Sequence, residues 1–200
     1  IFIIGVPRCG STLVEKIIGS GAKLIPMGEE TSVLEYFVNA KILEKQSLNI
    51  GNVGDVQNEL TNIYKRKGLI LEKCDNTFTD KSLNNFFYLK LIEKIYPNAK
   101  FIFLFRNPVH VMSSMIQTWC NGRFNQMYSF NRDLNYGLES LTTGYKILKD
   151  KAYTINYEDF VRNTEKYTIE ICNYLNISFR EKMINDFSNK KIAYFKPNQI

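Results

Sequence analysis

The chain has 200 residues, 44% hydrophobic and 23% charged, which is enough apolar material for one sizeable core and a single domain over 1–200. Its formal charge of +6 suits either a basic surface that serves solubility or an anionic partner such as a nucleotide, phosphate or sulfate; no basic run interleaved with aromatics marks a nucleic-acid face. No apolar run approaches the ~20 residues of a membrane helix, the four widely spaced cysteines form no C-x-x-C pair for zinc, and the single histidine, His110, leaves a His-based metal site or a serine–histidine triad little to draw on.

Ile1 to Ile4 is a β-rich apolar run and Gly5 to Gly10 a turn-rich loop, followed by helical spacing over Ser11 to Ser20. The chain opens on a strand with neither an initiator Met nor a basic leader, so a fragment or excised domain is expected. Leu24 to Pro26 suggests a second short strand. Glu30 to Lys45 reads as an amphipathic helix, and Asp55 as the N-cap of another running to Lys67. Phe78 to Asp80 is a short extended piece, and Asn84 to Tyr96 a helix stopped by Pro97. Lys100 to Phe105 is the clearest buried strand, and Pro108 opens a helix to Trp119. A helix over Leu134 to Lys149, a strand over Tyr153 to Asn156 and a helix over Thr164 to Leu175 complete the pattern. Strands alternating with helices predict an α/β fold with a central, mainly parallel sheet.

Gly5-Val6-Pro7-Arg8-Cys9-Gly10-Ser11-Thr12 lies between a strand and a helix, where backbone N–H groups and the helix dipole favour an anion. Its G-x-x-x-x-G spacing is that of a nucleotide P-loop, with Ser11 where the P-loop lysine would stand. Alone, the segment also suits a glycine turn with an N-cap serine. The stretch Pro7 to Thr12, P-R-C-G-S-T, resembles the P-R-S-G-T-T loop that holds the 5′-phosphosulfate in sulfotransferases using 3′-phosphoadenosine 5′-phosphosulfate (PAPS), with Cys9 and Ser11 as departures.

A second signature strengthens the resemblance. Arg106 ends the Lys100–Phe105 strand and Ser114 lies eight positions later, on the helix opened by Pro108. Each alone suits a strand-end salt bridge or a solvent-facing serine. The family's 3′-phosphate site has the same Arg and Ser at this separation, and His110 stands where the family often has Asp. Gly28-Glu29-Glu30-Thr31 resembles the G-E-E-T of tyrosylprotein sulfotransferases, where the second Glu is the proposed base; this implies Glu30, with Glu29 as the alternative. Asp80-Lys81-Ser82 resembles the family's D-K or N-K, which puts Lys81 on the bridging oxygen and leaves Arg8 for the sulfuryl oxygens. Without the resemblance, the two glutamates suit a helix start, Asp80 a cap and Lys81 a surface charge. Tyr157-Glu158-Asp159-Phe160 resembles the family's Y-E-D-L, which implies a nucleotide contact for Tyr157 or a packed aromatic. His110 is expected to be structural and Trp119 to lie in the core. Lys190, Lys191 and Lys196 are candidates for a basic loop over the nucleotide.

The resemblance runs over Ile1 to Ile177. It is closest to the group that includes tyrosylprotein sulfotransferases and bacterial sulfotransferases fused to tetratricopeptide repeats, so an upstream repeat domain is one expectation. It implies a P-loop-like three-layer fold, PAPS as co-substrate, no metal, and an acceptor hydroxyl or amine on a tyrosine peptide, carbohydrate or small molecule. A cytoplasmic setting is the simpler reading, and the Golgi lumen the alternative if an anchor has been removed. A P-loop nucleoside or small-molecule kinase and a non-catalytic scaffold remain as competing functions.

Overall fold

The computed structural model describes residues 1–21, 25–43, 52–70 and 77–188. Its centre is a parallel sheet of β1 (Phe2–Ile4), β2 (Phe101–Phe105) and β3 (Ala152–Asn156), ordered β1-β2-β3. Phe2 is in register with Phe101, and Phe101 with Ala152. Two isolated parallel bridges, Phe2 with Asp80 and Met27 with Thr79, continue the sheet beyond β1. Chain order therefore doubles back across β1: the segments at Met27 and Thr79–Asp80 lie on one side, β2 and β3 on the other. All run the same way. The fully apolar β1 and the buried Phe101–Leu104 stretch of β2 have the unbroken hydrophobic pattern of strands covered on both faces.

Helices supply the covering. They are α1 (Ser11–Gly19), α2 (Val33–Leu43), α3 (Val53–Arg66), α4 (Leu89–Ile95), α5 (Pro108–Trp119), α6 (Asn131–Leu148), α7 (Tyr157–Arg162), α8 (Thr164–Leu175) and α9 (Lys182–Ser188). The expected P-loop-like α/β fold, a parallel sheet between helices, is the observed one. Among the described residues, no helix is long and apolar enough to cross a membrane.

Three local expectations are corrected. The N-cap of α3 is Asn52, whose side chain accepts from the Gly54 amide, and Asp55 falls inside the first turn where its charge suits the dipole. The helix expected over Asn84 to Tyr96 is a 3₁₀ helix over Leu83–Tyr88 joined to α4, because Tyr88 takes φ −112°, ψ 13° between the two. The helix expected from Leu134 begins at Asn131, and α7, α9 and a 3₁₀ helix over Phe124–Phe130 went unpredicted. Leu24, Lys45, Gly51 and Cys74 lie outside the described residues.

A buried carboxylate organises the sheet's edge beside β1. Asp80 is fully buried and accepts from the Thr31 hydroxyl (2.8 Å), the Tyr64 hydroxyl (2.8 Å), the Ser82 amide (2.9 Å) and hydroxyl (2.7 Å), and Asn85 Nδ2 (2.9 Å). Burial and the Asp80 charge push the Tyr64 phenol far above its ordinary pKa, so it stays a donor. Asp80→Ala strands these donors in a dry site and is expected to lower unfolding free energy by about 3–5 kcal/mol, the range for breaking a buried charged network. Urea unfolding monitored by circular dichroism checks this; a loss under about 1 kcal/mol, the size of a single ordinary hydrogen bond, would show that the network does not hold the edge together.

Candidate functional site

The loop after β1 turns tightly to reach α1. Arg8 has φ 64° and Gly10 φ 104°, both left-handed. At Gly10 no other residue fits: a Cβ there would lie 2.3 Å from Tyr157 Cε2. Gly10, the N-cap of α1, has no side chain to cap it, and its carbonyl accepts from the Leu13 amide at 3.0 Å. Ser11 is half-buried and Thr12 exposed there, while Pro7 is buried. The Cys9 side chain turns inward and is fully buried, and burial raises its thiol pKa. Whatever Cys9 offers a ligand comes from its backbone.

Arg8, Arg106, Ser114 and Tyr157 gather around this loop. Arg8 Nε donates to Ser114 Oγ at 3.0 Å, and Arg106 Nη1 donates to the Arg8 carbonyl at 2.7 Å. The Arg106 guanidinium lies 4.4 Å from the centre of the Tyr157 ring, and its buried Nε has no hydrogen-bond partner among the described residues. Burial pushes the Tyr157 phenol up to about 12, against the pull of Arg106. Arg106 and Ser114, expected to converge on one phosphate, are both in contact with Arg8, Arg106 through the Arg8 carbonyl and Ser114 through the Arg8 side chain.

A second group lies across the sheet's edge. Lys81 is 5% exposed, and its Nζ is 3.5 Å from Glu30 Oε1, while the Glu30 side chain is 56% exposed. Glu29 holds its neighbours by backbone: its carbonyl accepts from the Lys81 amide at 3.1 Å, and its N–H donates to Glu15 Oε1 at 3.0 Å. Of the two candidate bases, it is Glu30 that faces Lys81. Two cavities share Glu30 as a wall. One, of about 560 Å³, includes Lys67, Leu69 and Lys81; the other, of about 660 Å³, includes Ser32, Asn84, Trp119, Phe130 and Arg132.

The placement follows from the topology. Arg8 follows β1, Arg106 follows β2, Tyr157 follows β3, Lys81 follows the Asp80 bridge, and Glu29 and Glu30 follow the Met27 bridge. Every candidate therefore lies at the carboxyl ends of parallel strands, around the β1–β2 point where chain order doubles back, where open α/β sheets bind ligands.

His110 pairs with Glu158. Its Nδ1 is 3.0 Å from Glu158 Oε1, which also accepts from the Asn107 amide. Burial alone would raise the Glu158 pKa, but these hydrogen bonds outweigh it and hold the carboxyl below its usual range. Trp119, expected in the core, is half-buried: it stacks near Phe130 at 5.0 Å and faces the larger cavity. Lys190, Lys191 and Lys196 lie outside the described residues. Sequence reasoning passed over Glu15 and Glu158. Glu15 left a signal, a lone carboxylate among Val14, Ile17 and Ile18 on the apolar stripe of α1.

Comparison with known proteins gives a consistent picture. The chain is 27% identical over 200 residues to Protein-tyrosine sulfotransferase 1 of Danio rerio, covering 92% of this chain and 55% of that protein. It is 24% identical to an uncharacterised protein of Aquifex aeolicus (strain VF5), covering 96% of this chain and 27% of that one. The chain thus spans from about a quarter to just over half the length of these relatives. Its fold matches the sulfotransferase domain of the Synechococcus PCC 7002 olefin synthase with a TM-score of 0.63 at 21% identity, over 98% of this chain and 80% of that one. The profile of the Sulfotransferase family matches residues 1–181, most of the chain, and the chain belongs to the Sulfotransferase family.

Proposed function

We propose that this domain transfers a sulfuryl group from PAPS to an acceptor hydroxyl or amine. The observation that carries this reading is the contact between two arginines from different loops, Arg8 and Arg106, beside the start of α1. Neither has a carboxylate within ion-pair distance among the described residues, so the positive charge is available to a ligand with two separate anionic groups.

In this reading the N–H groups and hydroxyls of the Pro7–Thr12 loop hold the 5′-phosphosulfate, and Arg106 and Ser114 hold the 3′-phosphate. Tyr157, which already stacks on Arg106, borders the nucleotide. Arg8 leaves the Ser114 hydroxyl and turns to the sulfuryl oxygens. Glu30 takes the proton from the acceptor as the acceptor oxygen or nitrogen bonds to sulfur. The bond from sulfur to the bridging oxygen breaks, and its electron pair stays on the phosphate of 3′-phosphoadenosine 5′-phosphate. Lys81 stabilises the charge growing on that oxygen, as preorganised cations do for a leaving group. The Glu30–Lys81 contact at 3.5 Å brings the two side chains together, and in this reading it opens so that the transferred group lies between base and leaving-group cation. The name of the Danio rerio relative makes a tyrosyl hydroxyl the first acceptor to try, and the cavity beside Trp119 and Phe130 offers an aromatic wall for a ring.

Calorimetric titration with 3′-phosphoadenosine 5′-phosphate is expected to show tight 1:1 binding, weakened roughly 10- to 100-fold in Arg106→Ala, as for the loss of a charge-assisted phosphate contact. A preference for ATP with Mg²⁺ would instead favour a kinase. Glu30→Gln is expected to lower kcat by about 10²–10⁴-fold, the range for a general base, with nucleotide affinity unchanged. Turnover of a tyrosyl peptide, followed with radiolabelled PAPS, checks the second expectation. Full activity in Glu30→Gln would remove Glu30 from the mechanism.

A further inference from the structure

Glu15 is a buried carboxylate, 1% exposed, on the inward face of α1, and it takes no part in the reaction described above. A single oxygen, Oε1, accepts two hydrogen bonds: from the Thr79 hydroxyl at 2.6 Å and from the Glu29 amide at 3.0 Å. These donors flank the bridge that pairs Met27 with Thr79. The same corner is closed by two backbone bonds, Gly28 N–H to the Thr79 carbonyl at 2.9 Å and Lys81 N–H to the Glu29 carbonyl at 3.1 Å. It is too tight for a side chain at Gly28, where a Cβ would lie 2.2 Å from the Thr79 oxygen. Glu29 is held at φ 45°, a left-handed conformation unfavourable for a non-glycine residue. The next residue is Glu30.

We propose that Glu15 is a positioning residue: its buried carboxylate anchors the Glu29 amide and so presents the Glu30 carboxylate to Lys81. The catalytic half of this inference rests on the sulfuryl-transfer reading; the anchoring half does not. Burial raises the Glu15 pKa, while the Thr79 hydroxyl, the Glu29 amide and the nearby Lys81 charge favour the ionised form. A carboxylate in such a place is a costly way to fill space, and an apolar side chain would fill the stripe of α1 at less cost. What an apolar side chain cannot do is accept from a backbone amide whose residue sits in strained geometry. An anchor of this kind matters because a displacement of about 1 Å in a reacting group can cost on the order of 10²-fold in rate.

Two readouts test the proposal together. Hydrogen exchange of the Glu29 amide is the first, and it needs no activity. In Glu15→Ala this amide is expected to exchange at least ~10-fold faster while the amides in the middle of α1 keep their protection, a local opening rather than a global one. Glu15→Gln retains an acceptor oxygen and is expected to restore most of the protection. Thr79→Val, which removes the hydroxyl that orients Oε1 without leaving a buried cavity, gives a milder version should Glu15→Ala fold poorly. The second readout is the kinetics of the same variants. Glu15→Ala is expected to lower kcat by roughly 10- to 100-fold, with affinity for 3′-phosphoadenosine 5′-phosphate within about twofold of the parent, since the anchor holds the base and not the nucleotide. Added to Glu30→Gln, it is expected to cause no further loss, because both act through one carboxylate. Unchanged Glu29 exchange in both Glu15→Ala and Thr79→Val would overturn the anchor. Losses that multiply with those of Glu30→Gln, or a parallel loss of nucleotide affinity, would overturn the link to Glu30. An anchor seen by exchange in a protein that transfers no sulfuryl group would sink the transfer reading and the catalytic half with it, leaving Glu15 a structural tether.

Discussion

The site depends on a carboxylate buried where a parallel sheet ends. Asp80 lies beside Phe2 of β1, and its two oxygens receive donors from the start of α2, from α3 and from the 3₁₀ turn that follows it. An ionised carboxylate in a dry site is tolerated only when its lone pairs are filled, and five donors do this here. The consequence for function is one residue away. With Asp80 turned into the protein, the backbone directs Lys81 toward the carboxyl edge of the sheet, where a nearly buried ammonium meets Glu30. The same arrangement draws Thr31 inward and leaves Glu30 outside, so a single network sets the positions of both members of the pair.

Electrostatics account for the other half of the site. Arg8 and Arg106 are brought into contact through a backbone carbonyl, and Arg106 also stacks on Tyr157. Among the described residues neither arginine has a carboxylate within ion-pair distance, and the dipole at the start of α1 adds to the positive field. Such an arrangement lowers its free energy when an anion arrives. The Arg8–Ser114 hydrogen bond suits the waiting state: it gives the arginine a neutral partner that a phosphate or sulfuryl oxygen can outcompete.

The parts legible in the sequence are those set by local pattern. The apolar runs of β1 and β2, the proline that opens α5 and the bounds of α8 follow from periodicity and capping rules, and the Gly5–Thr12 loop is readable from its two glycines. The unreadable parts are those decided by contacts far apart in the chain. Asn52 rather than Asp55 caps α3 because either residue satisfies the local rule and only the backbone conformation chooses. The 3₁₀ turn over Leu83–Tyr88 exists because Asp80 captures the Ser82 amide and Asn85, a pull that propensity does not describe. In the site itself, residue identities suggested phosphate chemistry. They could not show that Arg8 would bond both Arg106 and Ser114, or that Glu30 rather than Glu29 would reach Lys81, because both outcomes depend on how strands separated by most of the domain fall into register.

That dependence explains why the two glutamates, adjacent in sequence, take different parts. Glu29 is committed through its backbone: its amide goes to Glu15 and its carbonyl to the Lys81 amide. A residue fastened at both peptide groups is a hinge pin with little freedom to follow a substrate. Glu30 has its side chain in solvent on one side and Lys81 on the other, at the common wall of two cavities. An exposed carboxylate 3.5 Å from a nearly buried ammonium is held loosely, since solvent screens most of the attraction. In the proposed sulfuryl transfer, an acceptor hydroxyl entering from either cavity would displace Lys81 as the partner of Glu30 at small cost and free the ammonium for the charge on the opposite side of the transferred group. The rigid neighbour fixes where this exchange happens, and the loose pair makes the exchange easy.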